Sequence, residues 1–250
     1  MIPALAPIYI AQFAEYKDVL VLKSDPRPSI PAKLWFEEQN LITAMLKFKP
    51  QFQNEDLRGL ASEWSKYYFV RLIPPVVVAN LVLGWDLDLD IENISIVVDE
   101  HGLPSAFKLP NEGQPLDRVK QTPEHRFDSL IEANLTPFIE ALHRMCGLST
   151  NVFWSNAGNF FEWILGAMKQ HGIPEDSLKD GFALLNSKLC ERVNTQTGRK
   201  ARNPLWQPVV YLNKNGNPQH RERRMCCVRY LASDMKLCRD CPRTTIPKSR

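Results

Sequence analysis

The chain has 250 residues, 44% hydrophobic and 24% charged, a globular composition that excludes a disordered or collagen-like polymer. Its length suffices for a core that needs no disulfide staples. A formal net charge of +3 conceals a split: Arg192 to Arg250 holds 14 Lys and Arg against 3 Asp and Glu, whereas residues 1–191 hold 17 against 25. That asymmetry points to an anionic partner or bound group for the C-terminal segment.

Roughly the first 30 residues are punctuated by proline and are expected to be irregular, with Ser24-Asp25-Pro26-Arg27-Pro28 as a turn. Met1 to Pro7 lacks the basic and apolar regions of a signal peptide. The apolar run Leu72–Leu83 is too short for a membrane span and is interrupted by Pro74-Pro75. No transmembrane segment is therefore expected, and the expected compartment is the cytoplasm, where thiols stay reduced.

Leu34 to Phe48 reads as a helix, and Asn54 as the N-cap of a second. On that second helix Leu57, Leu60, Ala61, Trp64 and Tyr68 recur at helical spacing, and Pro74-Pro75 is expected to stop it. Ile94–Val98 and Ser105–Leu109 flank the turn Asp99–Gly102 and read as paired strands. Thr122-Pro123-Glu124 opens a helix whose face carries Phe127, Leu130, Ile131, Leu135, Phe138, Ile139 and Leu142, ending at Gly147. Pro137 is expected to kink it. Helices follow from about Asn156, read as an N-cap, to Gln170, and from Pro174 to Leu189. Thr195–Arg202 reads as a linker. Val209-Val210-Tyr211, a polar loop at Asn213–Asn217 and an extended run to Tyr230 read as a hairpin.

Four of the six cysteines, Cys226, Cys227, Cys238 and Cys241, lie near the C-terminus in the spacing C-C-x10-C-x2-C. In a reducing compartment such a group points to a metal site. Structural zinc usually takes two C-x2–4-C knuckles, and here only Cys238 and Cys241 have that spacing. Adjacent cysteines on a strand point to opposite faces, which suits a wider two-iron cluster better than one tetrahedral ion. The spacing thus favours 2Fe–2S over zinc and leaves both open. Arg223, Arg224, Arg229, Lys236, Arg239 and Arg243 flank the cysteines and would offset a cluster's negative charge. Basic flanks also suit zinc modules that bind nucleic acid or an acidic protein. No helix-turn-helix pattern accompanies them, so no nucleic-acid partner is expected. Cys146 and Cys190 stand alone and read as small buried hydrophobes.

The chain carries no G-x-G-x-x-G, Walker A, H-E-x-x-H or G-x-S-x-G motif. A redox role would then draw its electrons from another protein.

The segment Arg223-Arg224-Met225-Cys226-Cys227-Val228-Arg229-Tyr230, followed by Cys238-Arg239-Asp240-Cys241, resembles the C-terminal signature of the FhuF family of ferric-siderophore reductases. Ser62-Glu63-Trp64, Leu72-Ile73-Pro74-Pro75, Pro123-Glu124-His125-Arg126, Trp154-Ser155-Asn156-Ala157-Gly158 and Asn203-Pro204-Leu205-Trp206 resemble family segments in family order. The resemblance implies a 2Fe–2S cluster on the four cysteines. It also implies a cytoplasmic oxidoreductase, working at or near the inner face of the membrane, that releases iron from imported siderophores, typically hydroxamates or mixed types. The expected electron donor is a protein of ferredoxin or flavoprotein-reductase type.

The expected architecture is α+β: a mainly helical body with a small β-sheet over residues 1–195, then a basic C-terminal β-hairpin and iron–sulfur module over residues 196–250. Candidate contacts for the chelate are Trp154, Asn156, Trp206, Arg223 and Arg224. Two other readings compete: a zinc-bearing binding module, and a 2Fe–2S redox sensor.

Overall fold

The computed structural model describes residues 1–117, 122–193, 198–214, 217–232 and 234–244. It is an α+β protein, mainly helical, with small sheets.

The opening segment is more ordered than its prolines suggest. Short 3₁₀ turns at Pro3–Leu5 and Ala11–Tyr16 lead to strand β1 (Leu20–Leu22), and Ile2, Leu5, Tyr9, Phe13 and Tyr16 are buried. Strand β2 (Ile30–Pro31) precedes a short helix α1 (Ala32–Trp35) and helix α2 (Glu38–Phe48), so the single helix expected over Leu34–Phe48 is broken at Phe36-Glu37. The next helix, α3 (Leu57–Val78), is capped by Asp56, not Asn54: the Asp56 carboxylate accepts the Arg58 amide.

Pro74 and Pro75 do not stop α3. They sit inside it, fully enclosed, and the chain continues as a π-helical turn at Ala79–Leu83. Proline costs a helix its amide bonds, and here tertiary packing holds the segment in place; the Tyr9 hydroxyl donates to the Pro75 carbonyl at 2.9 Å. The helix Leu57–Leu83 is long and apolar enough to cross a membrane, but 67% of its apolar window is buried inside the protein. It is the central core helix.

After β3 (Trp85–Asp86) come β4 (Ser95–Val98) and β5 (Pro104–Leu109), the expected hairpin, and then β6 (Gln114–Pro115). The main sheet has the order β1-β5-β4-β2. Within it β1 runs parallel to β5, Leu20 opposite Phe107, and β4 runs antiparallel to β5, Ile96 opposite Phe107. The helix after Thr122 begins with a 3₁₀ turn at His125–Phe127 and α4 (Asp128–Leu130). It passes through a π turn at Ile131–Leu135, just before Pro137, and ends as α5 (Thr136–Cys146). Gly147 closes it in the left-handed conformation at φ 69°. Helix α6 (Thr150–Gln170) starts earlier than expected, capped by Ser149, and α7 (Glu175–Asn186) follows.

Of the expected linker Thr195–Arg202, Lys200–Arg202 is instead a strand, β8, which pairs antiparallel with β7 (Leu189–Val193) just before it; residues 194–197 lie outside the described residues. The last hairpin pairs β9 (Val209–Lys214) with β10 (Asn217–Arg223) and ends before the cysteines rather than at Tyr230. Residues 215 and 216 of its loop are outside the described set.

One aromatic cluster anchors the core. Tyr68 of α3 stacks on Phe138 of α5 at 3.9 Å between centroids, and Trp35 lies 5.2 Å from Trp64. Helices α3 and α6 pack along each other beside this cluster. Leu205 and Ala232 belong to the same core, so residues after 196 are seated on the body. The expected boundary at 195/196 itself falls among residues not described.

Candidate metal and substrate site

The C-terminal segment docks on α3 and α6 where both helices are thin. A Cβ on Gly59 would meet the Ala232 amide nitrogen at 2.5 Å, and one on Gly158 would meet Pro208 at 2.8 Å. Only glycine allows these approaches. On the same face of α3, Ser62 donates its hydroxyl to the Cys227 carbonyl. Asn156 of α6 donates to both the carbonyl and the hydroxyl oxygen of Ser62 at 3.0 Å. The Asn156 amide oxygen accepts from Arg223 at 2.5 Å, and Arg223 also reaches Ser155 at 3.2 Å. Asn156 and Arg223 are both buried. Asn156 is therefore not an N-cap: it is a mid-helix link between the body and the cysteine segment. A buried guanidinium stripped of such partners costs several kcal/mol, so this network is structurally binding.

Cys226 and Cys227 leave the end of β10, and Val228 follows in the left-handed region at φ 50°. That conformation is strained for a β-branched residue. Strand β10 ends at Arg223, so Cys226 and Cys227 lie outside the strand and its alternation does not govern them; the Val228 amide donates to the Cys226 sulfur at 3.4 Å. The second pair is held by an ion-pair chain: Arg221 of β10 bridges Asp240 at 2.7 Å and Glu162 of α6 at 2.6 Å. The Arg223 amide donates to the Asp240 carbonyl at 2.8 Å. Farther along the loop, Asp234 is tied to Lys49 and Gln51.

The four sulfurs fall into two pairs, Cys226 with Cys241 at 4.0 Å and Cys227 with Cys238 at 3.8 Å. Two thiolates on one tetrahedral metal with bonds of about 2.3 Å stand about 3.8 Å apart. Each pair thus has the edge length of one metal's coordination. Among the described residues no three His, Cys, Asp or Glu side chains are grouped to hold a single ion. All the cysteines are free thiols.

Positive charge converges on Cys227. Lys66 of α3 places Nζ 3.4 Å from the Cys227 sulfur and 2.5 Å from Glu63, and Arg229 lies 3.4 Å from the same Glu63 carboxylate. The hydrogen bond with Cys238, with the charges of Lys66 and Arg223, pulls the Cys227 thiol down to about 5. Its partner Cys238 is pushed up by that hydrogen bond, and Cys226 is pushed up by burial. The Arg223 Nε is buried with no hydrogen-bond partner, an orphan donor in the neighbourhood of anionic sulfur. Donor type, pairing and charge all fit a two-metal thiolate cluster.

Lys66 is a residue that the spacing of the cysteines does not reveal. Its signal lies in α3 itself, where Gly59, Ser62, Glu63 and Lys66 form a small and polar stripe at helical spacing on a helix that is wholly apolar only after Arg71.

Of the residues expected to contact a chelate, three share one cleft. Trp154, Trp206 and Arg224 line an open cavity of about 410 Å³ that ends at Met225, the neighbour of Cys226. The Arg224 guanidinium lies 3.7 Å from the centre of the Trp206 ring. Asn156 and Arg223 are not among its walls; they lie buried between cleft and cysteines.

Comparison with known proteins adds a family. Residues 62–217 match the family described as "Ferric iron reductase FhuF-like transporter", a match that ends before Cys226. The "Ferric siderophore reductase" of Escherichia coli (strain K12) is 27% identical over 96% of this chain and 90% of its own length. Among solved structures, aerobactin synthetase IucC from Klebsiella pneumoniae superposes with a TM-score of 0.53 at 15% identity, covering 81% of this chain. Petrobactin biosynthesis protein AsbB from Bacillus anthracis str. Sterne gives 0.51 at 15% identity over 74%. This chain spans 45% and 36% of those two proteins, so they share a fold over less than half their length. With the family match covering more than half of its residues, the chain belongs to the FhuF-like ferric iron reductase family.

Proposed function

We propose that this chain is a ferric-siderophore reductase that delivers one electron at a time to Fe(III) held in a chelate. The observation that carries the reading is the pairing of four thiols at metal-edge spacing beside a cleft that ends one residue from Cys226. Cys226 and Cys241 would hold one iron of a 2Fe–2S cluster, and Cys227 and Cys238 the other. When bound, such a cluster supplies a one-electron store.

The chain's own residues do the rest. Lys66 and Arg223 place positive charge at Cys227, which favours added negative charge there. The Val228 amide donates to Cys226. Ser62 and Asn156 fix the backbone of the Cys226-Cys227 pair against α3. Trp154, Trp206 and Arg224 form the surface on which the ferric chelate rests. No acid, base or nucleophile is needed, because the reaction is Fe(III) plus one electron to Fe(II). Hard oxygen ligands hold the softer Fe(II) less well, so reduction itself loosens the iron. The electron comes from a donor protein of ferredoxin or flavoprotein type. The reading has the protein work in the cytoplasm, where four close thiols would stay reduced.

A single-turnover assay tests this. Protein reduced anaerobically, freed of excess reductant and mixed with a ferric hydroxamate chelate and an Fe(II) trap should form Fe(II) as its visible absorbance returns to the oxidised spectrum. Reoxidation by air but not by any ferric chelate would point to the redox-sensor reading.

A further inference from the structure

Trp154, Trp206 and Arg224 hold their cleft open to solvent, and its walls carry a charge pattern that separates one class of chelate from another. Arg202, at the end of β8, and Arg224 both line it and are exposed. Lys188 stands 5.3 Å from the centre of the Trp206 ring, so a third cation borders the same wall. Among the described residues no Asp or Glu lines the cleft. Among the described residues neither Arg202 nor Arg224 has a carboxylate partner, whereas the nearby Arg221 is spent on Glu162 and Asp240. The N-terminal turn of α6, at Thr150 and Asn151, opens into the cleft as well and adds the positive end of its dipole.

A ferric ion wrapped by three hydroxamates is neutral and would need only the two indoles and a few hydrogen bonds. Guanidinium groups with no acid to answer them suit carboxylates, which they bind as a planar fork. Stacking on Trp206 holds the Arg224 fork in place before any ligand arrives, which lowers the ordering cost of binding. We propose that this cleft selects anionic ferric chelates, those carrying carboxylates beyond what the iron neutralises, over neutral or cationic ones. The inference rests on the reductase reading above and names its substrate class.

Gallium(III) chelates test the charge preference apart from reduction, because gallium matches ferric charge and size and accepts no electron. Calorimetric titration of the intact, cluster-loaded protein should show an anionic citrate–bis-hydroxamate gallium chelate binding about tenfold tighter than a neutral tris-hydroxamate one at low salt, with the gap narrowing as salt rises. Arg202→Gln combined with Arg224→Gln should bring the two within about twofold, while Arg224→Lys should keep part of the preference. Both positions are exposed, and an unchanged visible spectrum confirms an intact fold in each variant. Equal affinities in the wild type, tightest binding by a cationic tris-hydroxamate, or an undiminished preference in the double variant would overturn the inference. The ferric forms separate the two claims. Fe(II) formed equally from neutral and anionic chelates would leave the reductase standing and overturn the charge preference. Selective anionic binding with no Fe(II) formed would overturn the reductase and leave the cleft as an anionic-chelate site.

Discussion

Lys66 is the residue on which the electronic side of the account turns. Its ammonium, partly buried and 3.4 Å from the Cys227 sulfur, stabilises whichever state of the site carries more negative charge. Reduction adds that charge, so Lys66→Met should lower the midpoint potential. A bare charge at 3.4 Å and an effective dielectric near 20 sets an upper bound of roughly 5 kcal/mol, or about 210 mV for one electron, and the paired Glu63 carboxylate brings the loss below it. Glu63→Gln should move the potential the other way, since Glu63 partly neutralises both Lys66 and Arg229. Spectroelectrochemical titration of the two variants reads both signs, and unchanged midpoints would remove Lys66 from the site. That the four cysteines come together was legible from spacing alone, because they are close in sequence. Lys66 was not, because it lies 161 residues from Cys227 and only the fold joins them. Asn156 misled for a related reason: a polar residue near an apparent helix start reads as a cap, and its burial against Ser62 and Arg223 has no local signature.

Among the elements, α3 carries most of the design. One of its faces buries Trp64 and Tyr68 in the core, and another presents Gly59, Ser62 and Lys66 to the cysteine segment. Gly59→Ala would drive a methyl group into the Ala232 backbone and should destabilise docking by about 1–3 kcal/mol. The expected outcome is a protein with wild-type helical circular dichroism that loses its visible chromophore faster under a metal chelator. Retention at the wild-type rate would show that the loop tolerates the methyl. The stripe Leu57 to Tyr68 revealed the start of α3, but its end was hidden. Pro74-Pro75 is a stop signal wherever water competes for the backbone, and here enclosure on all sides overrides it. Strand β1 was hidden too: its three residues pair with β5 from far along the chain, and so short an element has no periodicity to read.

At the scale of the whole molecule, body and C-terminal segment share one core, yet their stabilities need not be coupled equally. The aromatic group of Trp35, Trp64, Tyr68 and Phe138 lies in the body and is complete without the cysteines. Stripping bound metal should therefore leave the helical circular dichroism nearly unchanged, while limited proteolysis cuts begin to appear between Cys227 and Cys238. Global loss of helix on metal removal would mean that the cluster nucleates the fold. The α+β class and the helical body were legible because amphipathic periodicity reports core faces directly. The cleft was not, since it arises where α6, the segment after β8 and the end of β10 meet, and only Trp154, Trp206 and Arg224 hinted at it.

The central claim is that the four thiols hold two irons in pairs. Its most direct test is the metal and sulfide content of anaerobically purified protein, read with the visible and EPR spectra before and after dithionite. The account predicts a red-brown protein with about two irons and two sulfides per chain that bleaches on reduction and gains an S = 1/2 signal. A colourless protein holding stoichiometric zinc, unchanged by anaerobic reconstitution with iron and sulfide, would contradict it.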